Sequence, residues 1–203
     1  YILDNLSIEA NRLFNTISTA RDYFNIFTFW CAPYNLTKIK LEKLMPELDC
    51  VEFGPGSGMN PILSHLVNPN KKIYLYDFPE MTIIQKNTHE ILSSSKKLEI
   101  NLNNIKYFSQ LSELRKETIN KKYFFISHWA FSESPYSLRN DFINILKNAE
   151  FLIFSSTNIF LSHLSDEAMD NQKYFFDLSL KLQKFNYFTF PIPKKEKEFD
   201  SNH

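Results

Sequence analysis

All three glycines of this 203-residue chain fall between residues 54 and 58, in the run Val51-Glu52-Phe53-Gly54-Pro55-Gly56-Ser57-Gly58. Glycine is needed where the backbone must take a positive φ or approach a ligand closely. A chain with no glycine elsewhere concentrates both needs in one loop. The loop follows a short strand pattern, Cys50–Phe53, and precedes helical periodicity, and a strand-to-helix turn is where nucleotide-binding α/β folds bring the main chain against a ligand. An acidic residue, Asp77, closes the next apolar run, Ile73–Tyr76, about 20 residues beyond the glycines, where such folds carry a ribose-binding carboxylate. Together these features predict a nucleoside-containing cofactor.

The rest of the pattern supports an α/β domain. Strands are expected at Cys50–Phe53, Ile73–Tyr76, Ile105–Phe108, Tyr123–Ser127 and Phe151–Ser155. Helices are expected at Asn60–Leu66, Met81–Ser94, Leu111–Ile119, Ser137–Asn148 and Asp166–Phe185. Alternation of this kind predicts a doubly wound, mostly parallel sheet with helices on both faces, a Rossmann-like arrangement. Before it, residues 1–48 read as an N-terminal helical cap, with Leu13, Phe14, Ile17, Phe24, Phe27 and Trp30 at mostly helical steps and breaks at Pro33 and Pro46. Residues 49–203 then form the ligand-binding domain. The cap's aromatics either pack on the sheet, line a substrate cleft, or join the chain to a second copy as a homo-oligomer. A last apolar run, Tyr187–Ile192, reads as a sixth strand.

Charge and cysteine content exclude several classes. Lys plus Arg and Asp plus Glu each number 23, so no global positive field gathers nucleic acid or an anionic membrane. Cys31 and Cys50 lack metal-ligand or C-x-x-C spacing, which fits reduced thiols in the cytoplasm. No apolar run approaches the roughly 18 residues of a membrane helix, so membrane insertion is not expected, and no metal site is expected either.

The loop spacing is G-x-G-x-G, whereas a dinucleotide fingerprint reads G-x-G-x-x-G and leaves a helix N-terminus open for pyrophosphate. Glu52 stands immediately before the loop strand's end, and a carboxylate there repels a pyrophosphate and favours a cation. With Glu52 ahead of Gly54, Gly56 and Gly58, the chain resembles the class I S-adenosylmethionine-dependent methyltransferases. That resemblance implies S-adenosylmethionine as cofactor, its methionine part on the glycine loop and its ammonium group near Glu52. It implies that Asp77 accepts the ribose hydroxyls, Phe78 packs on the adenine, and Gln110 lies near the adenine amino group. The alternative for Asp77 is a helix cap before Pro79. The fold so implied closes with an antiparallel hairpin of sixth and seventh strands, so the sequence is expected to stop short of the seventh.

A second segment narrows the likeness. The strand-four exit, Ser127-His128-Trp129-Ala130-Phe131-Ser132-Glu133, together with Asp77-Phe78-Pro79-Glu80, is similar to sugar O-methyltransferases of bacterial surface-polysaccharide gene clusters. The likeness runs from about Cys50 to Phe160. It implies O-methylation of a free or carrier-linked sugar, with nitrogen or phosphate-linked acceptors and a non-catalytic assembly subunit as the alternatives. In that fold the strand-four exit faces the transferable methyl, which puts Ser127 at the cofactor. His128, with an ordinary pKa of about 6.5, is either a general base or a residue that orders the loop. Glu133 is the second candidate base, its other reading being a carboxylate at a helix start. Family members commonly carry a small polar residue at the position of His128. Ser155-Ser156-Thr157-Asn158 ends strand five beside the acceptor site, and His163 is a reserve base.

Overall fold

The computed structural model describes residues 46–94, 101–156, 159–161 and 168–182. Residues 1–45 of the expected N-terminal cap and the expected strand at Tyr187–Ile192 lie outside the described residues. Five strands, β1 (Asp49–Phe53), β2 (Ile73–Tyr76), β3 (Ile105–Phe108), β4 (Tyr123–His128) and β5 (Phe151–Ser155), form one sheet in the order β3-β2-β1-β4-β5. Every pairing in it is parallel. This is the doubly wound α/β sheet expected from the alternation. All six residues of β4 are buried, as a strand covered on both faces requires, and for that reason its sequence does not alternate.

The connections are α1 (Met59–Val67), α2 (Pro79–Ser94), α3 (Leu111–Thr118), α4 (Ala130–Glu133), α5 (Tyr136–Asp141) and α6 (Ile143–Asn148). A 3-10 turn at Leu102–Asn104 leads into β3. After β5 come two short strands, β6 (Ile159–Leu161) and β7 (Ala168–Asp170), paired antiparallel, and then α7 (Asn171–Leu182). Two expectations are corrected. Residues 168–170 are strand rather than the start of a helix, because Ala168 and Asp170 pair with Leu161 and Ile159. Asp170 then accepts the backbone N–H of Lys173 through Oδ1 at 2.9 Å, the contact by which a carboxylate opens a helix. The expected helix Ser137–Asn148 is two, divided at Phe142, whose ring is fully buried.

One face of the sheet carries Cys50, Leu75, Phe124 and Ile126 under Ile62 of α1 and Leu92 of α2. The opposite face carries Val51, Phe53, Tyr74 and Phe125 against α3, α4, α6 and α7. On that second face the rings interlock edge to face. Phe142 meets Phe53 at 4.9 Å and 87° and meets Tyr76 at 4.9 Å and 74°, an arrangement that adds to the burial of area alone.

Helix α2 is set against its own amphipathicity. It buries Thr82, Gln85, His89 and Leu92 and leaves Ile83, Ile84 and Ile91 exposed at 59, 48 and 64%. Full burial of each such side chain is worth about 1.5–3 kcal/mol, so the orientation is held by something other than apolar burial.

Among the described residues no helix is long and apolar enough to cross a membrane, and no group of three or more His, Cys, Asp or Glu side chains is placed to hold a metal ion. Phe142→Ala is expected to lose about 3–5 kcal/mol, the range for large core truncations. Truncation of the exposed Phe176 should change stability by no more than about 0.5 kcal/mol. Urea unfolding of the two variants measures the contrast.

Candidate functional site

The strand order reverses between β1 and β4, and in doubly wound sheets the crevice beyond the carboxyl ends of the strands at that point receives the ligand. Three of the candidate residues come to this edge on one face. Glu52 stands in register with Leu75 and Ile126, and His128 is two residues on from Ile126, hence on the same side of the pleat. Asp77 follows β2 with the parity of Ile73 and Leu75. The charge of Glu52 is felt at Asp77.

The glycine loop spans this edge with all three glycines at positive φ, +63° at Gly54, +59° at Gly56 and +85° at Gly58. Their surroundings differ. A Cβ on Gly54 would lie 2.1 Å from the Cβ of Ala130, and one on Gly58 would lie 2.6 Å from Nε2 of His89. Those two positions are closed by neighbouring structure. A Cβ on Gly56 would meet nothing within 4 Å, so Gly56 is where the loop opens onto free space.

The loop's polar groups turn inward. Gly54 N–H donates to the Tyr76 carbonyl at 2.9 Å and Gly58 N–H to the Pro55 carbonyl at 3.0 Å, while Gly56 N–H acts on the Asp77 carboxyl as an influence that lowers its pKa. Gln85 Nε2 donates to the Gly56 carbonyl at 2.9 Å and to Asp77 Oδ2 at 2.8 Å. His89 completes the set, with Nε2 at 2.6 Å from the Gly58 carbonyl and Nδ1 at 2.5 Å from the Tyr107 hydroxyl. A carbonyl only accepts, so Nε2 carries the proton and the neutral ring accepts from Tyr107 through Nδ1. Burial keeps His89 below its ordinary value against the opposing pull of the Gly58 carbonyl. It also raises the Tyr107 phenol to about 12, so Tyr107 remains a donor at neutral pH.

Asp77 is therefore knitted into the protein. Oδ1 accepts Phe78 N–H at 2.9 Å, and Oδ2 accepts Gln85. Burial nevertheless raises its pKa, more than the bonds from Phe78, Gln85 and Gly56 lower it, and the nearby Glu52 adds to the rise. An ionised carboxylate offers about four lone-pair sites. With two of them taken by Phe78 and Gln85, Asp77 has room for a ribose hydroxyl while the loop bonds are kept.

Glu52 is buried and its Oε1 accepts from Asn60 Nδ2 at 3.4 Å. On the β4 side, Ser127 is fully buried, and its hydroxyl donates to the Phe53 carbonyl at 2.9 Å and accepts Phe131 N–H at 3.0 Å. It joins β1 to α4, a structural use of a residue expected at the cofactor. His128 is 9% exposed, with Nδ1 at 2.7 Å from Ser155 Oγ. Glu133 is exposed in α4 with its N–H on the Trp129 carbonyl. Phe78 is 68% exposed at the mouth of α2, and Gln110 is exposed at the start of α3, making no side-chain cap. Thr157, Asn158 and His163 lie outside the described residues.

Sequence reasoning missed Gln85, His89 and Tyr107, and the backbone of Trp129, which takes φ 60° and ψ −44°. The signal for the first two was present: a Gln and a His at an i, i+4 step on the same helix. The residues fit S-adenosylmethionine better than a dinucleotide. Gly56 leaves open space for close approach, two carboxylates flank the loop, and the N–H groups of Gly54 and Gly58 are committed within the protein instead of joining an anion nest.

No family model and no curated protein sequence matches the chain. Among solved structures it is similar to a Nostoc punctiforme protein provisionally described as an O-methyltransferase, with 12% identity and a TM-score of 0.41 over 60% of this chain. It is also similar to an O-methyltransferase family protein of Burkholderia thailandensis, with 12% identity and a TM-score of 0.43 over 66% of this chain. The matches span 34% and 39% of those two chains, well under two thirds of their length.

Two measurements follow from this geometry. Gly54→Ala combines a steric overlap with left-handed backbone strain and should lose roughly 2–5 kcal/mol, whereas Gly56→Ala carries the backbone strain alone, about 1–2 kcal/mol. Urea unfolding separates them.

The second measurement concerns pH. His65 and His89 are both held below 6.5 by burial, and His65 Nε2 accepts Asn101 N–H at 2.8 Å, a bond that protonation removes. Below pH 6.5 the unfolded chain therefore binds protons that the folded chain refuses. The stability these histidines contribute is complete above about pH 6.5 and falls as pH is lowered through that value. Melting temperatures between pH 7 and 5 should decline, less steeply in His89→Gln than in the unaltered protein.

Proposed function

We propose that the protein is an S-adenosylmethionine-dependent methyltransferase acting on oxygen. The observation that carries this reading is the pair of carboxylates, Glu52 and Asp77, set on either side of a glycine loop that opens only at Gly56. Carboxylates favour a ligand bearing sulfonium and ammonium charges and disfavour a pyrophosphate. Glu52 would hold the ammonium end, Asp77 one ribose hydroxyl, and the exposed ring of Phe78 the adenine face.

The bound cofactor supplies a methyl group on sulfur, open to in-line displacement by an acceptor oxygen. Such a reaction asks mainly for position and exclusion of water. His128 could take the acceptor proton at Nε2 in the tautomer whose Nδ1–H donates to Ser155 Oγ, a contribution of about 10²–10⁴-fold for a well-placed base. The low exposure of its ring means that the acceptor must reach well into the crevice. Glu133, exposed on α4, is the other candidate base. The acceptor we favour is a free or carrier-linked sugar, on the likeness of Asp77–Glu80 and Ser127–Glu133 to enzymes of surface-polysaccharide synthesis.

Calorimetric titration with S-adenosylhomocysteine, with NAD as control, tests the cofactor. The expected result is saturable binding of the first and none of the second. Asp77→Asn should weaken binding at least ~10-fold, about 1.4 kcal/mol, the scale of one charge-assisted hydrogen bond. A folded protein that binds neither would overturn the reading in favour of an assembly subunit.

A further inference from the structure

We infer that Gln85 and His89 are positioning residues that hold the glycine loop and Asp77 in the arrangement that receives the cofactor. The inference rests on the proposed function for what the loop binds, and on the structure for how the loop is held. Both side chains are fully buried, one turn apart on α2. Gln85 ties the Gly56 carbonyl to the Asp77 carboxylate with a single amide nitrogen, and His89 ties the Gly58 carbonyl to Tyr107 on β3. The two residues thus grip the carbonyls on either side of Ser57, one of them the carbonyl of the open position, Gly56.

Two observations separate this role from ordinary packing. Both partners of Gln85 are acceptors, so its amide orientation is fixed with Nε2 toward them, and its Oε1 is left buried without a hydrogen-bond partner among the described residues. A buried acceptor left unsatisfied is unfavourable, yet it is retained with the bridge. The second observation is the outward turn of Ile83, Ile84 and Ile91. A helix oriented for apolar burial would put those three inward and the Gln–His pair in solvent. The observed rotation serves the bonds to the loop.

The test compares S-adenosylhomocysteine affinity with loop protection in the full chain. Gln85→Met keeps the volume and removes the donor, and His89→Leu removes both ring contacts. His89→Gln keeps a donor at the reach of Nε2. Phe175→Leu, altering a buried α7 residue away from the loop, is the control for lost stability alone. Gln85→Met and His89→Leu are expected to weaken binding at least tenfold, with His89→Gln close to the unaltered protein and the control unchanged in affinity despite a lower melting temperature. Hydrogen exchange without ligand should speed up at the Gly54, Gly56 and Gly58 amides in Gln85→Met and His89→Leu, with β1 and β4 core amides unaffected. Binding by the unaltered protein that neither variant changes would overturn the positioning role and leave the cofactor reading standing. Absence of binding by the unaltered protein, with faster loop exchange in the variants, would overturn the cofactor reading and leave the clamp standing. Unchanged loop exchange in both variants would overturn the clamp itself.

Discussion

The amide of Gln85, caught between the Gly56 carbonyl and the Asp77 carboxylate, is the contact on which the geometry of the crevice depends. It joins the end of β1 to the end of β2 through a helix that follows both. In this part-buried setting such a bond is stronger than in water. Replacing this one side chain with an apolar one would take the shared donor from two acceptors at once. His89 repeats the logic one turn later, passing from the loop through a neutral imidazole to Tyr107. The loop's shape is thereby a property of α2 as much as of its own glycines.

The opposite wall of the crevice is fixed by a different device. Ser127 fastens the last carbonyl of β1 to the first turn of α4, and α4 in turn sets Ala130 so close to Gly54 that no side chain fits there. Between them Trp129 is the one non-glycine among the described residues at positive φ, a conformation that costs on the order of 1–3 kcal/mol. It is held by its N–H on the Ser155 carbonyl at 2.9 Å and by its own carbonyl, which accepts from Glu133 N–H and Ser132 Oγ. The strained turn directs the chain out of β4 just after His128. The loops after β1 and β4 are mutually determined, so the two sides of the switch point cannot be altered independently.

The five strands were legible because each is a compact apolar run bounded by turn residues, and their parallel arrangement followed from alternation with helices. The convergence of Glu52, Asp77 and His128 was legible for a related reason: strand ends and pleat parity suffice to place them. The division of a helix at Phe142 was not legible, since Leu138, Ile143, Ile145 and Leu146 read as one continuous helical pattern and the break answers to ring packing from β1 and β2. Nor was the β6–β7 pair, whose three-residue strands are too short to show a period. The orientation of α2 was concealed most thoroughly. Hydrophobic periodicity assigns its isoleucines to the interior, and only the loop's demand for donors explains why Gln85 and His89 take that place.

That demand also bears on ligand charge. A glycine loop at the start of a helix ordinarily attracts anions, through exposed N–H groups and the roughly half positive charge of the helix end. Here the N–H groups of Gly54 and Gly58 are consumed by the Tyr76 and Pro55 carbonyls, and the Gly56 N–H lies within the influence of the Asp77 carboxyl, which leaves the end of α1 as the main positive element of the loop. Against it stand the carboxyl groups of Glu52 and Asp77. Two unit charges 4 Å apart interact by about 4 kcal/mol at an effective dielectric constant of 20, so even at larger separations a pair of carboxylates outweighs half a charge. A diphosphate entering here would meet repulsion with two of the three glycine amides that could offset it already bonded within the protein. A ligand bearing positive charge would meet attraction at the same carboxyl groups, and this balance is what supports the cofactor we propose.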